Sequence, residues 1–181
     1  MGSTSFWSDQ SIEPKRKSRF ILSLGGIEHW IVKSGAKPSF EINVTEHTYL
    51  NHKFYYPGTV SWNEIEVVLV DPLQPDSTAT MYEVLLASGY IPPTSQAEAE
   101  SGTVSKKSAT AVMNEVTISH VGPGGVNDIL DTWTLQNTFV SRVNWGDLSY
   151  EDDSLVDITV GLRYDFAIYT TTSSPSSGVE N

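Results

Sequence analysis

The sequence predicts a mainly β protein, an antiparallel β-barrel or sandwich with one packed α-helix. Three observations lead to this prediction. Several segments alternate apolar and polar residues, which is typical of strands with one face toward a core. A single segment near the middle of the chain has convincing helical spacing, and strands and helices do not alternate as they do in parallel sheets. The 181 residues fit one domain with a sizeable core.

The amino-terminal half of the chain contains the first predicted strands. Residues 20–24 and 28–32 flank Gly25-Gly26, a pair that predicts a hairpin turn. Residues 39–49 form the next predicted strand, with apolar side chains on the face toward the core and polar ones toward water. Its apolar residues are Phe40, Ile42 and Val44, and its polar residues are Glu41, Asn43 and Thr45. A turn-rich segment, 51–58, then leads to a strand over 64–70.

The only predicted helix follows. Ser77 or Thr78 is the expected cap, the helix reaches about Ser88, and Gly89 occupies the position where a left-handed residue ends helices. Residues 92–105 are predicted to form a long surface loop because they are rich in Pro, Ser, Glu and Gly.

Further strands are predicted in the carboxy-terminal half, over 111–121, 133–143 and 156–164, with an acidic turn region at 146–154. We therefore expect an amino-terminal arm at 1–19, a β domain at 20–169 and a tail at 170–181 that is rich in Ser and Thr.

Composition excludes several classes of function. The net charge of -11 argues against a protein that grips nucleic acid through its phosphates. The absence of cysteine excludes disulfides and thiolate metal sites. We also expect no secretory signal and no membrane span, because no long apolar run is present.

Candidate reactive groups are sparse. Glu64 and Glu66 could be the paired acids of a hydrolase, but residues two apart on a strand are also simply neighbours on its wet face, and we prefer that interpretation. The four histidines lack the spacing of a zinc site; they are His29, His47, His52 and His120. We therefore expect no cofactor, no metal and no enzymatic activity.

Four segments together resemble the tail tube proteins of contractile-tailed bacteriophages, which are related in fold to the tube protein of type VI secretion systems. The first two are YYPGTVSWNEIEVVLVDP, where a turn and Trp62 lead into a strand that ends in Asp71, and the helix ATMYEVLLASG. The others are KKSA, before the strand NEVTISHVG, and DTWTLQNTFVSRVNWGDLSYEDDSLVDITVGLRYD. The resemblance covers roughly residues 20–169 and lies in the order and spacing of the segments.

This resemblance implies a homo-hexameric ring that stacks into a hollow tube, with tail sheath, baseplate and tail-terminator proteins as partners. DNA would pass through the lumen without specific binding. Such a protein would belong to a virion tail that assembles in the host cytoplasm. A related cap or baseplate ring is an open alternative.

Under this hypothesis, the lumen wall is acidic and rich in hydroxyl groups. Carboxylates on the wall would repel the phosphates of a passing genome. The expected wall residues are Glu41, Asn43, Thr45, Glu64, Glu66, Thr117, Ser119, Asp157 and Thr159.

Two further groups are expected to contact neighbouring subunits. The first is aromatic and contains Tyr49, Phe54, Tyr55 and Tyr56; the second is the basic cluster of Lys15, Arg16 and Lys17. The same aromatic residues would also suit a β-sandwich that binds carbohydrate or protein, which is the alternative from another functional class. The basic cluster could equally touch DNA or remain solvated.

Overall fold

The computed structural model describes residues 14–172, which form ten strands and three α-helices. The strands are β1 (Phe20–Ser23), β2 (Val32–Gly35), β3 (Phe40–Tyr49), β4 (His52–Trp62), β5 (Ile65–Val70), β6 (Val116–Val121), β7 (Ile129–Gln136), β8 (Phe139–Asn144), β9 (Asp157–Arg163) and β10 (Phe166–Thr171). The helices are α1 (Ser77–Ala87), α2 (Gln96–Ser101) and α3 (Lys106–Met113). The predicted mainly antiparallel β fold is confirmed, with two helices more than expected.

Eight of the strands form two four-stranded antiparallel sheets. Sheet I has the order β1-β6-β7-β10, and sheet II has the order β2-β5-β9-β8. Their apolar faces pack against each other around one hydrophobic core, to which sheet I contributes Leu22, Val116 and Leu135. At the centre of sheet II, Val67 pairs with Val160, and both are fully buried. The alternation predicted for the β5 and β9 segments is therefore confirmed.

The predicted helix is confirmed as α1, but its cap is a different residue. Asp76 is the N-cap, and its carboxylate accepts a hydrogen bond of 2.8 Å from the backbone N–H of Ala79. Ser77, expected as a cap, is instead the first helical residue. Gly89 has φ +109°, as a left-handed C-terminal position requires.

Two further helices replace predicted irregular or extended structure. α2 lies inside the predicted 92–105 loop, where Ser95 caps it by accepting from the N–H of Glu98 at 3.3 Å. α3 occupies residues predicted to lead into and begin a strand at 111; Ser105 caps it, and Ala109 and Met113, four apart, face the core. Helical spacing thus outweighs the β-branched residues of this segment.

The hairpin predicted around Gly25-Gly26 is wrong, although the turn exists. Leu24 and Ile27 bridge across it, with 2.8 Å between the N of Ile27 and the O of Leu24. Beyond the turn, a short 3-10 helix (His29–Ile31) redirects the chain, so β1 pairs with β6 in sheet I while β2 pairs with β5 in sheet II. The turn therefore connects the two layers of the sandwich.

Boundaries also differ in the carboxy-terminal part. The strand predicted over 133–143 is divided between β7 and β8, which belong to different sheets. β10 was not predicted, and it includes the first two residues of the expected tail; the remainder of that tail beyond Thr172 lies outside the described residues.

β3 and β4 form a two-stranded ribbon outside the sandwich. The segment 51–58, predicted to be turn-rich, lies mostly within β4, with Leu50 at φ +52° in the turn. The prediction that Ile42 and Val44 pack into a core is wrong, because every residue of β3 is exposed. The alternation is real, but every side chain of its apolar face is exposed among residues 14–172.

Candidate assembly surfaces

The ribbon is a direct continuation of two strands of sheet II. The N–H of Ala36 donates to the O of Glu66 at 3.1 Å, and the N–H of Asn63 donates to the O of Ser39 at 2.9 Å, so the β2–β5 pairing continues into the β3–β4 pairing. Ten residues of β3 at about 3.3 Å per residue extend roughly 33 Å from the sandwich. The ribbon is therefore an arm with its base fixed in the core sheet.

One face of the ribbon is apolar near the base. Phe40, Ile42 and Val44 lie on this face and are between 44% and 61% exposed. Their cross-strand partners are Trp62, Val60 and Pro57. The ring centroid of Trp62 lies 5.3 Å from that of Phe40 and 5.9 Å from that of the buried Tyr164, which ties this face to the core. We call these six paired residues the base patch.

The opposite face is apolar near the tip. Tyr49, Phe54 and Tyr56 lie there, between 49% and 63% exposed, and pair with His52, His47 and Thr45 respectively. We call the three aromatic residues the tip patch. Tyr55 lies on the other face, opposite Glu46, whose carboxylate forms a 2.9 Å ion pair with Lys53. The four aromatic residues predicted to contact neighbours thus lie close together, but on two faces.

The two patches lie on opposite faces and at different heights along the ribbon. An isolated two-stranded ribbon is marginally stable in water, and large exposed apolar patches mark interaction surfaces. Because each patch is exposed in the single chain, the ribbon has the form of an element that packs between two other surfaces.

The nine predicted wall residues are distributed over three sheets. Glu41, Asn43 and Thr45 lie on the ribbon, Glu64, Glu66, Asp157 and Thr159 on or beside sheet II, and Thr117 and Ser119 on sheet I. The outer faces of two packed sheets point in opposite directions. One subunit therefore cannot turn all nine residues toward a common lumen.

The outer face of sheet II carries paired charges. Glu66 accepts a 2.9 Å hydrogen bond from the guanidinium of Arg142, and Asp157 pairs with Lys33. The carboxylate of Glu64 lies directly over Gly161, where a Cβ would collide with it. Two of these three carboxylates, Glu66 and Asp157, are thus paired with cations, so the net negative charge of this face is smaller than its acidic residues alone suggest.

The outer face of sheet I carries two rows of hydroxyl groups, each with one isoleucine at the sheet edge, Ile168 in the first row and Ile21 in the second. One row across the sheet contains Ser23, Thr117 and Thr134, and the next contains Ser119, Thr132 and Thr170. The Oγ of Ser119 lies 2.9 Å from the Oγ1 of Thr132. Neither row contains a charged residue. We call these six residues the hydroxyl face; four of them were not predicted.

Comparison with solved structures identifies the fold. The chain aligns with a protein in the sheath-tube complex of an extracellular contractile injection system (PVC) at a TM-score of 0.66 and 18% identity, covering 94% of this chain and 100% of that one. It also aligns with the tube-terminating cap of the anti-feeding prophage, at a TM-score of 0.67 and 18% identity over 93% and 99% of the two chains. The chain has the fold of a contractile-injection tube protein.

The same fold occurs at other positions in such particles. The anti-feeding prophage baseplate aligns at a TM-score of 0.62 and 13% identity over 90% and 99% of the two chains. A type VI secretion protein aligns less closely, at a TM-score of 0.45 and 7% identity over 83% and 82%. No protein-family model matches the sequence, and no curated protein does.

Within this tube-protein fold, one residue of the basic cluster forms an ion pair with sheet I. Lys15 pairs with Asp131, which is 2% exposed and also lies 3.0 Å from the Nδ1 of His120. Burial of Asp131 opposes its ionisation, but hydrogen bonds from Lys15 and His120 outweigh this and lower the pKa of the carboxyl group. Arg16 and Lys17 are exposed. Of the predicted cluster, therefore, Lys15 is bound to sheet I, and the other two side chains lie on the surface.

The alternative sites find little geometric support. Glu66, one of the two proposed hydrolase acids, is engaged by Arg142. Among residues 14–172, no group of three or more His, Asp or Glu side chains could hold a metal ion. Within that same range, no helix is long and apolar enough to cross a bilayer.

Replacing Asp131 by Asn should destabilise the tube-protein fold in a pH-dependent way. We expect the free energy of unfolding at pH 7 to fall by about 1–3 kcal/mol, because Lys15 and His120 lose a charged acceptor. The pKa of Asp131 is lower in the folded than in the unfolded state, so this contribution is fully present above the unfolded-state pKa of about 4 and is lost progressively as the pH falls through the lower folded-state pKa. Urea denaturation should therefore show a deficit that shrinks toward pH 3.

The exposed Asp152 offers a control. Asp152→Asn should change stability by less than about 0.5 kcal/mol at either pH. A deficit for Asp131→Asn that is equally large at pH 7 and pH 3 would contradict a role for the ionised carboxylate.

Proposed function

We propose that this chain is a structural subunit that forms rings of six, which stack into the hollow inner tube of a contractile, tail-like particle. The ribbon carries the proposal. Its two apolar patches lie on opposite faces and at different heights, so a single neighbouring surface cannot cover both. In stacked rings, one patch packs within the ring and the other against the adjacent ring.

The outer strands of the two sheets could pair with those of neighbouring copies and so close a ring. Both four-stranded sheets end in strands that pair on one side only within the described chain. Open edges favour pairing with other chains, and closure into a barrel removes them. Six copies of one four-stranded sheet would form a continuous wall of 6 × 4 = 24 strands.

The hydroxyl face of sheet I is the surface that best suits the lumen. It is uncharged, whereas the outer face of sheet II carries Glu66, Arg142, Lys33 and Asp157. A wall without cations has no fixed charge to hold the phosphates of DNA in transit. The lumen is thus a neutral conduit for ejected cargo, and the acidic wall expected from the sequence is not required.

The proposed partners follow from the same position in the particle. A sheath surrounds the tube, and baseplate and terminator proteins cover its ends, as in the particles whose tube, baseplate, cap and terminator proteins share this fold. A baseplate or cap ring is the second candidate. It differs from the tube subunit in one observable property, because it forms single rings and does not polymerise alone.

Polar substitution of the tip patch should prevent assembly without unfolding the subunit. We expect the triple variant Tyr49→Ser, Phe54→Ser and Tyr56→Ser to remain monomeric in light scattering at concentrations where the wild type associates. These side chains are already exposed in the monomer, so its thermal unfolding should be nearly unchanged.

Leu73 and Val126 provide a matched control. Both are highly exposed, at 98% and 67%, and lie outside the ribbon. Leu73→Ser with Val126→Ser should assemble as the wild type does. Normal assembly of the tip-patch variant would contradict a role for the ribbon in assembly.

Cysteine labelling distinguishes the two possible lumen faces. Because the chain has no cysteine, Thr134→Cys and Glu66→Cys each introduce a single thiol. In assembled tubes, a polymer-linked maleimide too large to enter the lumen should label Cys at 66 but not at 134. A small maleimide should reach both positions, and both reagents should label both variants in unassembled protein. Labelling at 134 and protection at 66 in tubes would place sheet II on the lumen instead.

A further inference from the structure

A groove with basic walls opens between the outer strands of the two sheets. It has a volume of about 620 Å³ and lies between β1 and β2, where Lys17, Lys33 and Lys37 contribute to its lining. Phe20 and Ile118 form an apolar floor. We call this cavity the basic groove.

Charge is distributed unevenly along this acidic chain. Six of its eleven Lys and Arg residues lie between positions 15 and 37. Within the described chain, Lys33 is paired with Asp157, whereas Lys17 and Lys37 form no ion pair. The groove therefore presents two cations that have no counter-ion among residues 14–172.

An acidic loop follows β8, the outer strand at the other edge of sheet II. Residues 145–156 join β8 to β9 and include four exposed acids without a single basic residue. These acids are Asp147, Glu151, Asp152 and Asp153. None of them forms an ion pair with another residue in the range 14–172.

The two features occupy opposite edges of the same sheet. β2 borders the groove and β8 leads into the loop, and these are the two outer strands of sheet II. Three strand spacings of about 4.8 Å separate them by roughly 14 Å. Lys33 on β2 reaches across the sheet to Asp157, where the acidic loop ends, so the groove and the loop share one end of the sheet.

We propose that the basic groove binds the acidic loop of the neighbouring copy within the ring. This inference rests on the proposed ring, in which the β2 side of one subunit faces the β8 side of the next, a head-to-tail contact that uses two different surfaces. Complementary charges then give the contact its direction and register. The second copy is the occupant we favour over DNA because the chain itself supplies an unpaired acidic segment at the edge that meets the groove.

Charge reversal of each surface tests the contact. The groove variant carries Lys17→Glu and Lys37→Glu, and the loop variant carries Glu151→Lys, Asp152→Lys and Asp153→Lys, which leaves Asp147 as the one acid of a net basic loop. In each variant alone, like charges face each other at every interface, and we expect ring formation to require at least about tenfold more protein than the wild type at low salt. Light scattering and electron microscopy measure this concentration.

An equimolar mixture of the two variants gives the decisive result. In an alternating ring, the acidic groove faces the basic loop at one interface, and the unmodified groove faces the unmodified loop at the next. The mixture should therefore assemble at nearly the wild-type concentration, with both variants present in each ring. The single changes Lys107→Glu and Glu83→Lys, at exposed sites outside both surfaces, should not impair assembly.

Three outcomes would overturn the inference. If each variant alone assembles at the wild-type concentration, the proposed contact is contradicted and the proposed ring is not. Failure of the mixture, with both variants folded by circular dichroism, would show that the two surfaces do not meet. A wild-type protein that remains monomeric at every concentration would overturn the ring and this contact together.

Discussion

The pairing of β5 with β9 supports the remainder of the structure. Ile65, Val67 and Leu69 lie opposite Leu162, Val160 and Ile158, and all six are at most 1% exposed. Full burial of such side chains contributes about 1.5–3 kcal/mol each before the entropy of ordering the chain is counted. This pair holds β2 on one side and β8 on the other, and its inner face forms the floor of the core beneath sheet I.

The same pairing explains why an exposed ribbon can keep its shape. The β2–β5 ladder continues without a change of partner into β3 and β4, so the buried end of the sheet orients the free end. Trp62 fixes the base of the ribbon against Tyr164. Stability of the monomer and capacity for assembly are thus assigned to different ends of the same two chain segments.

Local patterns in the sequence predicted the strands β3, β5 and β9 well, but they did not predict that the apolar face of β3 is exposed. Alternation over 65–70 and 157–163 corresponds to real burial, because both segments are central in a sheet. The same alternation at Phe40, Ile42 and Val44 indicates only that one face is apolar; whether the covering surface belongs to the same chain is not encoded in the spacing. The missed helices had recognisable signals, namely Ser95 three residues before Glu98 and Ser105 before the Ala109–Met113 spacing.

Other features depend on contacts between distant parts of the chain. The hydroxyl face combines residues from four strands, and the ion pair of Glu66 with Arg142 joins positions 76 residues apart. Sequence patterns could not show that a predicted acidic wall would be partly neutralised in this way. The order of strands decides which side chains meet, and it results from packing of the whole sandwich.

Negative-stain electron microscopy of the purified chain tests the account most directly, because a tube subunit must associate with itself. End-on views at increasing protein concentration should show hollow six-fold rings, and side views should show rods that lengthen as rings stack. A chain that remains a dispersed monomer at all concentrations, or closes into solid particles without a lumen, would contradict the proposed tube.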